Sequence, residues 1–114
     1  MEKKSTKKSA KKTKKAAKPA KASKKDFLRN VPAKQYFHCA DGVVLKNLLD
    51  LALRLDEMHY DVFRHHVNEH RNDFSAWIEH SIKEPELAKR ILHSHSMHET
   101  QKTIFMYIIE RLLK

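Results

Sequence analysis

A lysine-rich segment at the start of the chain limits what the whole chain can fold into. Residues 3–25 consist only of Lys, Ala, Ser and Thr apart from Pro19. Residues 1–25 hold twelve lysines and one acid, a net charge of +11, while the rest holds twelve Lys or Arg against thirteen Asp or Glu, a net charge of −1. A segment without large apolar side chains cannot offset the entropy of ordering it. We therefore predict a disordered basic arm over 1–26 and one folded domain over 27–114.

The composition of this arm indicates its class of partner. A flexible segment with charge of one sign is typical of proteins that bind polyanions. The arm lacks Arg, which reads guanine edges, and aromatic rings, on which unpaired bases stack. We expect it to bind the phosphate backbone of nucleic acid without reading sequence, DNA first and RNA or the ribosome second. The candidate nucleic-acid-binding residues are Lys3, Lys4, Lys7, Lys8, Lys11, Lys12, Lys14, Lys15, Lys18, Lys21, Lys24 and Lys25.

Two interpretations of the lysine spacing stay open. Lys4, Lys8, Lys12 and Lys15 would form one stripe if the arm became helical, and phosphate groups would remove the repulsion that opposes this helix. The alternative is a low-complexity lysine run with no defined geometry.

Other partners and compartments are less consistent with the sequence. The chain has no apolar run of about 18 residues, so no membrane span is expected. The arm has no apolar face for a membrane surface. Cys39 is the only cysteine, which excludes an intrachain disulfide and favours a small buried residue in a reducing compartment. We expect the cytoplasm or nucleoid, or the nucleus if the organism is a eukaryote.

The remainder of the sequence predicts a mainly α domain, a compact bundle of about five short helices. Asp41-Gly42 indicates a type I′ turn, which predicts a very short β-hairpin before the first helix. Asn47 with Asp50, Asn72, Pro85, and Ser96 with Glu99 are helix-start signals for the first, third, fourth and fifth helices, and residues 60–67 form the second. Leu49 and Leu53 widen the apolar face of the first helix, so we expect it to be mostly enclosed. The expected inward positions are Leu48, Leu51, Ala52, Leu55, Val62, Phe63, Val67, Phe74, Trp77, Ile78, Ile82, Leu87, Ala88, Ile91, Leu92, Ile104, Phe105, Ile108, Ile109 and Leu112.

Two segments resemble known families. His66-Val67-Asn68, Asn72-Asp73-Phe74 and Trp77-Ile78 resemble the signature of a family of small domains of unknown function from archaea and bacteria, over roughly residues 31–92. That resemblance implies a helical domain and no activity, with His66, Asn68, Asn72, Asp73 and Trp77 as the structural signature. We expect Asn68 to end one helix in the left-handed conformation and Asn72 to begin the next. Residues 3–25 resemble the tails of linker histones and of bacterial histone-H1-like proteins, which implies a role on DNA or rRNA.

The nine histidines raise the question of a metal site. His66 to His70 matches the H-x-x-E-H pattern of inverted zinc proteases. That motif needs one unbroken helix. Because Asn68 is expected to end the helix, we reject a zinc-protease site here. His93, His95 and His98 are weak candidates for a metal site, against an exposed polar linker. Because the chain has one glycine and no nucleophile elbow or dinucleotide fingerprint, we expect neither an enzyme nor a cofactor.

A second interpretation makes the helical domain the functional part. The domain would then be a protein-interaction module, and the arm would only localise it. Self-association through the domain also stays open, with Leu49, Leu53, Met106 or Tyr107 as the expected contact positions.

Overall fold

The computed structural model describes residues 25–114. The predictions made for the arm, disorder alone and helix formation on binding, lie outside the described residues. The described residues are mainly helical, which confirms the predicted fold class. The five α-helices are α1 (Leu48–Leu55), α2 (Tyr60–His66), α3 (Asp73–Trp77), α4 (Pro85–Ile91) and α5 (Met97–Leu113), with a π-helical segment over Ile78–Ile82 and 3₁₀ helices over Asp26–Leu28 and Ala33–Gln35. The four strands are β1 (Phe37–His38), β2 (Val44–Leu45), β3 (Val67–Asn68) and β4 (Arg71–Asn72).

Strands β1 and β2 form the predicted short hairpin, but its turn differs from the predicted type. A type I′ turn needs positive φ at both central residues, and here Gly42 has a φ of +91° while Asp41 does not have a positive φ. The Gly42 amide donates to the Cys39 carbonyl at 2.9 Å, and the Cys39 amide donates to the Val43 carbonyl at 2.8 Å. The loop is therefore the three residues 40–42, with glycine at the left-handed position that L-residues rarely adopt.

The predicted helix starts are confirmed where a side-chain cap was expected. The Asn47 side-chain oxygen accepts a hydrogen bond from the Asp50 amide at 2.7 Å, and the Ser96 hydroxyl accepts one from the Glu99 amide at 3.2 Å. Pro85 occupies the first turn of α4. Each cap satisfies an amide that has no partner inside the helix.

A second hairpin, β3–β4, was not predicted and corrects the expectation for Asn68. Helix α2 ends at His66, and Asn68 lies in β3 with a negative φ instead of a left-handed conformation. Its side-chain oxygen accepts from the His70 amide at 2.9 Å, and its side-chain nitrogen donates to the Arg64 carbonyl at 3.3 Å. Asn68 therefore stabilises a tight turn between two antiparallel strands.

Helix α4 connects the two halves of the packing. It contacts α3, the π-helical segment and α5, and α5 also contacts α1. All four predicted positions of the third stripe, Phe74, Trp77, Ile78 and Ile82, are buried. Within residues 25–114, no helix combines the length and the apolar character needed to cross a membrane.

Several residues that were expected to face inward lie on the surface. The predicted enclosure of α1 is wrong, because Leu49 and Leu53 are 39% and 55% exposed. A helix that packs on one side buries one stripe, and these two residues lie beside the stripe that contains Leu48, Leu51 and Leu55. The same reason applies to Ile109 and Leu112 on α5 and to Leu92, directly after α4, which are also exposed.

Candidate functional site

The arm joins the domain at its surface. Lys25, the one candidate lysine within the described residues, is exposed and its carbonyl accepts from the Leu28 amide at 2.8 Å. Two residues later Phe27 is buried, with its ring centroid 6.2 Å from that of Tyr107 and 4.6 Å from the Arg111 guanidinium carbon. The buried ring and the cation–π contact anchor the chain directly after the arm.

Further bonds hold the segment that follows this anchor. Arg29 donates to the Ile82 carbonyl at 3.1 Å and to the Ser81 carbonyl at 3.3 Å. The Val31 amide donates to the Lys46 carbonyl at 2.8 Å. The segment after the arm is therefore held against the π-helical segment and the start of α1.

Four of the six arginines in residues 26–114 are paired with carboxylates. Each of the four lies near at least one acid, which reduces the local positive field around it. An exposed pair of this kind contributes little to stability, but it lowers the net charge of the surface at these positions. The pairs are Arg54 with Asp41 and Glu57, Arg71 with Asp73, Arg90 with Glu86 and Glu110, and Arg111 with Glu84.

A polar cluster that the sequence did not predict lies between α5 and the start of α4. Tyr107 donates to the Glu84 carboxylate, and Arg111 donates both to that carboxylate and to the Tyr107 hydroxyl. Burial raises the pKa of Tyr107, and the hydrogen bond to Glu84 raises it further. Because Tyr107 is only 5% exposed, its predicted role as a self-association position is wrong. The i, i+4 spacing of Tyr107 and Arg111 was the available sequence signal.

His66 links the first hairpin to the start of α3. Its side chain is buried, and its Nε2 atom accepts from the Ala40 amide at 3.0 Å. Since Nε2 is an acceptor, the neutral ring carries its proton on Nδ1, which lies 3.0 Å from the Asp73 carboxylate oxygen and donates to it. Both ring nitrogens therefore bond within the domain, and neither is available to a ligand.

Asn72 joins α3 to the end of α4. Its side-chain oxygen accepts from the Ser75 amide at 3.0 Å, as the predicted cap requires. Its side-chain nitrogen donates to the Ile91 carbonyl at 2.9 Å, a contact that sequence reasoning did not include. Ser75 also donates to the Ala88 carbonyl at 2.8 Å. The two residues fix the position of α4 against α3.

Trp77 completes the set of signature residues. Its indole nitrogen donates to the Gln35 carbonyl at 2.7 Å, and its ring centroid lies 5.6 Å from that of Phe37. The structure thus brings His66, Asp73 and Trp77 close to the first hairpin, while Asn72 contacts α4. In this arrangement the signature residues bond to one another and to the backbone, which is the pattern of a structural network.

The H-x-x-E-H sequence does not form one helical face. His66 lies at the end of α2 and is buried, whereas His70 lies in the β3–β4 turn with an exposed side chain. A zinc site of this type needs both histidines on the same side of one helix. The expectation that the helix is interrupted between them is confirmed.

The weak metal candidates His93, His95 and His98 all lie on the surface. His93 and His95 border a shallow groove of about 210 Å³, which also contacts His70 and Glu69. Within residues 25–114, no group of three or more His, Cys, Asp or Glu side chains has a geometry that could hold a metal ion. The structure therefore does not bring the three candidates together as a ligand set.

The Cys39 thiol is buried beside the turn of the first hairpin. Burial first, and the nearby Asp41 carboxylate second, raise the pKa of the thiol from 9.0 to about 11. Only the thiolate is nucleophilic. Cys39 therefore lacks the environment of a catalytic or redox-active cysteine.

We expect Cys39 to react slowly with a thiol reagent in the native protein. A pKa about two units higher lowers the thiolate fraction about 100-fold at neutral pH, before burial limits access. The test is the rate of reaction with a chromogenic disulfide reagent at constant pH, compared with the same protein in denaturant. A native rate within about threefold of the denatured rate would show that the thiol is accessible and ionised.

Comparison of the chain with protein-family models, with curated protein sequences and with solved structures found no match.

Proposed function

We propose that this chain is a non-enzymatic nucleic-acid-binding protein whose lysine arm binds phosphate backbones without reading sequence. The observation that carries the proposal is the charge distribution, a net +11 over residues 1–25 against −1 over the rest. A local charge of this size attracts a polyanion strongly at low salt. DNA is the first candidate partner, and RNA or the ribosome is the second.

The surface of the domain supports assigning the binding to the arm. Five of its six arginines are paired with carboxylates or with backbone carbonyls, as Arg90 and Arg29 illustrate, and its net charge is −1. A protein that gripped DNA through this surface would have to break those pairs or leave the acids facing phosphates. The exposed position of Lys25 is consistent with this assignment, since a long polymer can reach a lysine on the surface of the domain.

The resemblances of the arm and of the signature residues to known families remain hypotheses, and each is based on a different set of residues. The histone-like composition of residues 3–25 supports a DNA-associated or chromatin-associated role, in the cytoplasm or nucleoid, or in the nucleus of a eukaryote. The signature residues support membership of a family of small helical domains, for which the resemblance implies no activity. The internal bonds of His66 and Asn72 are consistent with that structural role.

The alternative function is a protein-interaction module. Exposed apolar side chains on two packed helices favour it, notably Leu53 on α1 and Ile109 on α5, which are 55% and 51% exposed. In that case a protein would be the main partner of the domain, and the arm would only localise the chain.

Removal of the arm separates the two functions. We expect the full chain to shift a DNA duplex at about 50 mM salt and residues 26–114 not to shift it, because the arm supplies the counterion release that drives binding. The measurement is a mobility-shift titration, with circular dichroism as the control that the shortened chain keeps its helices. Equal binding by both chains would refute the arm as the binding site. Binding by neither would favour the interaction module.

A further inference from the structure

Helix α5 has apolar side chains on two sides. One side faces the core through Thr100, Ile104, Tyr107 and Ile108. The other side carries Met106, Ile109 and Leu113, which are 49%, 51% and 80% exposed. A surface helix in a globular domain normally has one apolar stripe and a polar opposite face. The second stripe of α5 therefore has a role outside the fold of the single chain.

The second stripe has the spacing of a helix-pairing seam. Lys102, Met106, Ile109 and Leu113 are separated by four, three and four residues, which is the alternation of a heptad seam. The same spacing results when the series is read backwards. A seam with this property matches a second copy of itself in antiparallel orientation, because each of its positions then meets another position of the seam.

We propose that α5 is the contact surface for a second copy of this chain, with the two α5 helices antiparallel about a two-fold axis between Tyr107 and Ile108. In this register Met106 packs against Ile109 of the second copy, and Lys102 lies beside Leu113 of the second copy. The pairing is isologous, as closed two-fold dimers require.

Charge complementarity favours a second copy over an unrelated apolar partner. Lys102 is the charged member of the seam, and the antiparallel register places its ammonium at the carboxyl end of the facing helix. The helix dipole makes that end negative, and the Lys102 methylene groups can cover Leu113 while the ammonium stays in water. A parallel register would instead place the two Lys102 ammonium groups side by side.

The lysine arm is a poor occupant of the same seam. Residues 3–25 contain no aliphatic side chain larger than Ala and no aromatic one. Such a segment cannot fill the space around Met106 and Ile109, and it would bring further positive charge to Lys102. The part of the chain outside the described residues therefore does not explain the exposed stripe.

Self-association would also change how the protein acts on DNA, a consequence that rests on the proposed function. A dimer carries two arms, and two arms can hold two duplexes or two parts of one duplex. The protein would then bridge DNA in addition to binding it.

The test is the mass of the full chain in solution, measured by light scattering after gel filtration in about 0.5 M NaCl, where charge effects are strongly screened. We expect a mass twice the 13.5 kDa of one chain. Met106→Glu or Ile109→Lys alone should raise the dimer dissociation constant at least about 100-fold, because each substitution places two unpaired charges in the seam. A wild-type protein that is monomeric up to about 200 µM, a concentration above the dissociation constants of stable dimers, would overturn the proposal.

The double variant tests the register. In the antiparallel pairing, Met106→Glu with Ile109→Lys places each new Glu beside a new Lys, so the dimer should recover at least about tenfold over either single variant. In a parallel pairing like charges would meet, and no recovery would refute the antiparallel arrangement. The matched control is Leu92→Glu, because Leu92 is an equally exposed apolar residue outside α5. Substitution of Leu92 should leave the mass unchanged.

A dimer that forms but binds no DNA would refute only the proposed function.

Discussion

The affinity of the full chain for duplex DNA is expected to fall about 10⁴-fold when the salt concentration rises from about 50 to about 200 mM. Each phosphate that a lysine neutralises releases condensed counterions, and about eight such contacts give a log–log slope of roughly −7. Twelve lysines are present in the first 25 residues, so eight simultaneous contacts use two thirds of them. Fluorescence anisotropy with a labelled duplex at several salt concentrations gives the slope directly.

A matched pair of variants shows which lysines produce that slope. Replacing Lys11 and Lys12 by Gln should reduce the slope by about two, because two phosphate contacts are lost. Replacing Lys34 and Lys89, which are exposed on the domain and lie outside α5, removes the same charge and should leave the slope unchanged. Equal reductions by both pairs would mean that the binding surface includes the domain.

The same measurement addresses the class of nucleic acid. Two duplexes of equal length and different sequence should bind alike, since lysine contacts to phosphates carry no sequence information. A strong preference for one sequence would require base contacts, which the arm has no Arg or aromatic side chain to make. Tighter binding of structured RNA than of DNA would favour the ribosome-associated alternative.

The sequence predicted those parts of the fold that depend on interactions between residues close together in the chain. Asn47 and Ser96 were identified as helix caps because a cap depends on residues three positions apart. The β3–β4 hairpin was missed because strands of two residues have no detectable period, and its turn is held by Asn68, whose amide was expected to end a helix. The exposure of Leu53 and Ile109 was missed because apolar periodicity shows which residues are apolar and does not show which side another element covers.

The signature residues show the same limit at the level of the site. The motif drew attention to His66 and Asn72, and only the cap that Asn72 provides for α3 was predicted. Their partners, the Ala40 amide and the Ile91 carbonyl, are distant in sequence. Nearly every residue has such backbone groups, so the sequence does not show which of them forms a hydrogen bond with a given side chain. The motif therefore identified the residues, and the structure showed which hydrogen bonds their side chains make.

Asn72 is the position where these internal bonds are expected to matter most. Asn72→Ala removes an N-cap, which typically costs about 1 kcal/mol, and one hydrogen bond to the buried Ile91 carbonyl, which costs about 0.5–1.5 kcal/mol because that carbonyl still accepts from the Ser94 amide at 3.0 Å. We therefore expect a loss of about 1.5–2.5 kcal/mol in the free energy of unfolding, or a decrease of about 6–20 °C in Tm for a domain of this size. Thermal and urea denaturation give both values. The affinity for DNA at a temperature where the variant is folded should not change, because the arm is intact.

Two further variants separate the contributions of the two ends of the Asn72 amide. Asn47→Ala removes a cap of the same kind without a second buried bond, and should cost only about 1 kcal/mol.

Asn72→Asp keeps an oxygen that can accept from the Ser75 amide, but it places a carboxylate against the Ile91 carbonyl, which lies 2.9 Å from the donor that it replaces. Asp is a strong helix cap, so a protein in which only the cap mattered would tolerate this change. We expect the Asp variant to be at least as unstable as the Ala variant, because a buried carboxylate that faces the Ile91 carbonyl is more costly than the loss of one hydrogen bond to that carbonyl. A stable Asp variant would contradict the assignment of Asn72 as the link between α3 and α4.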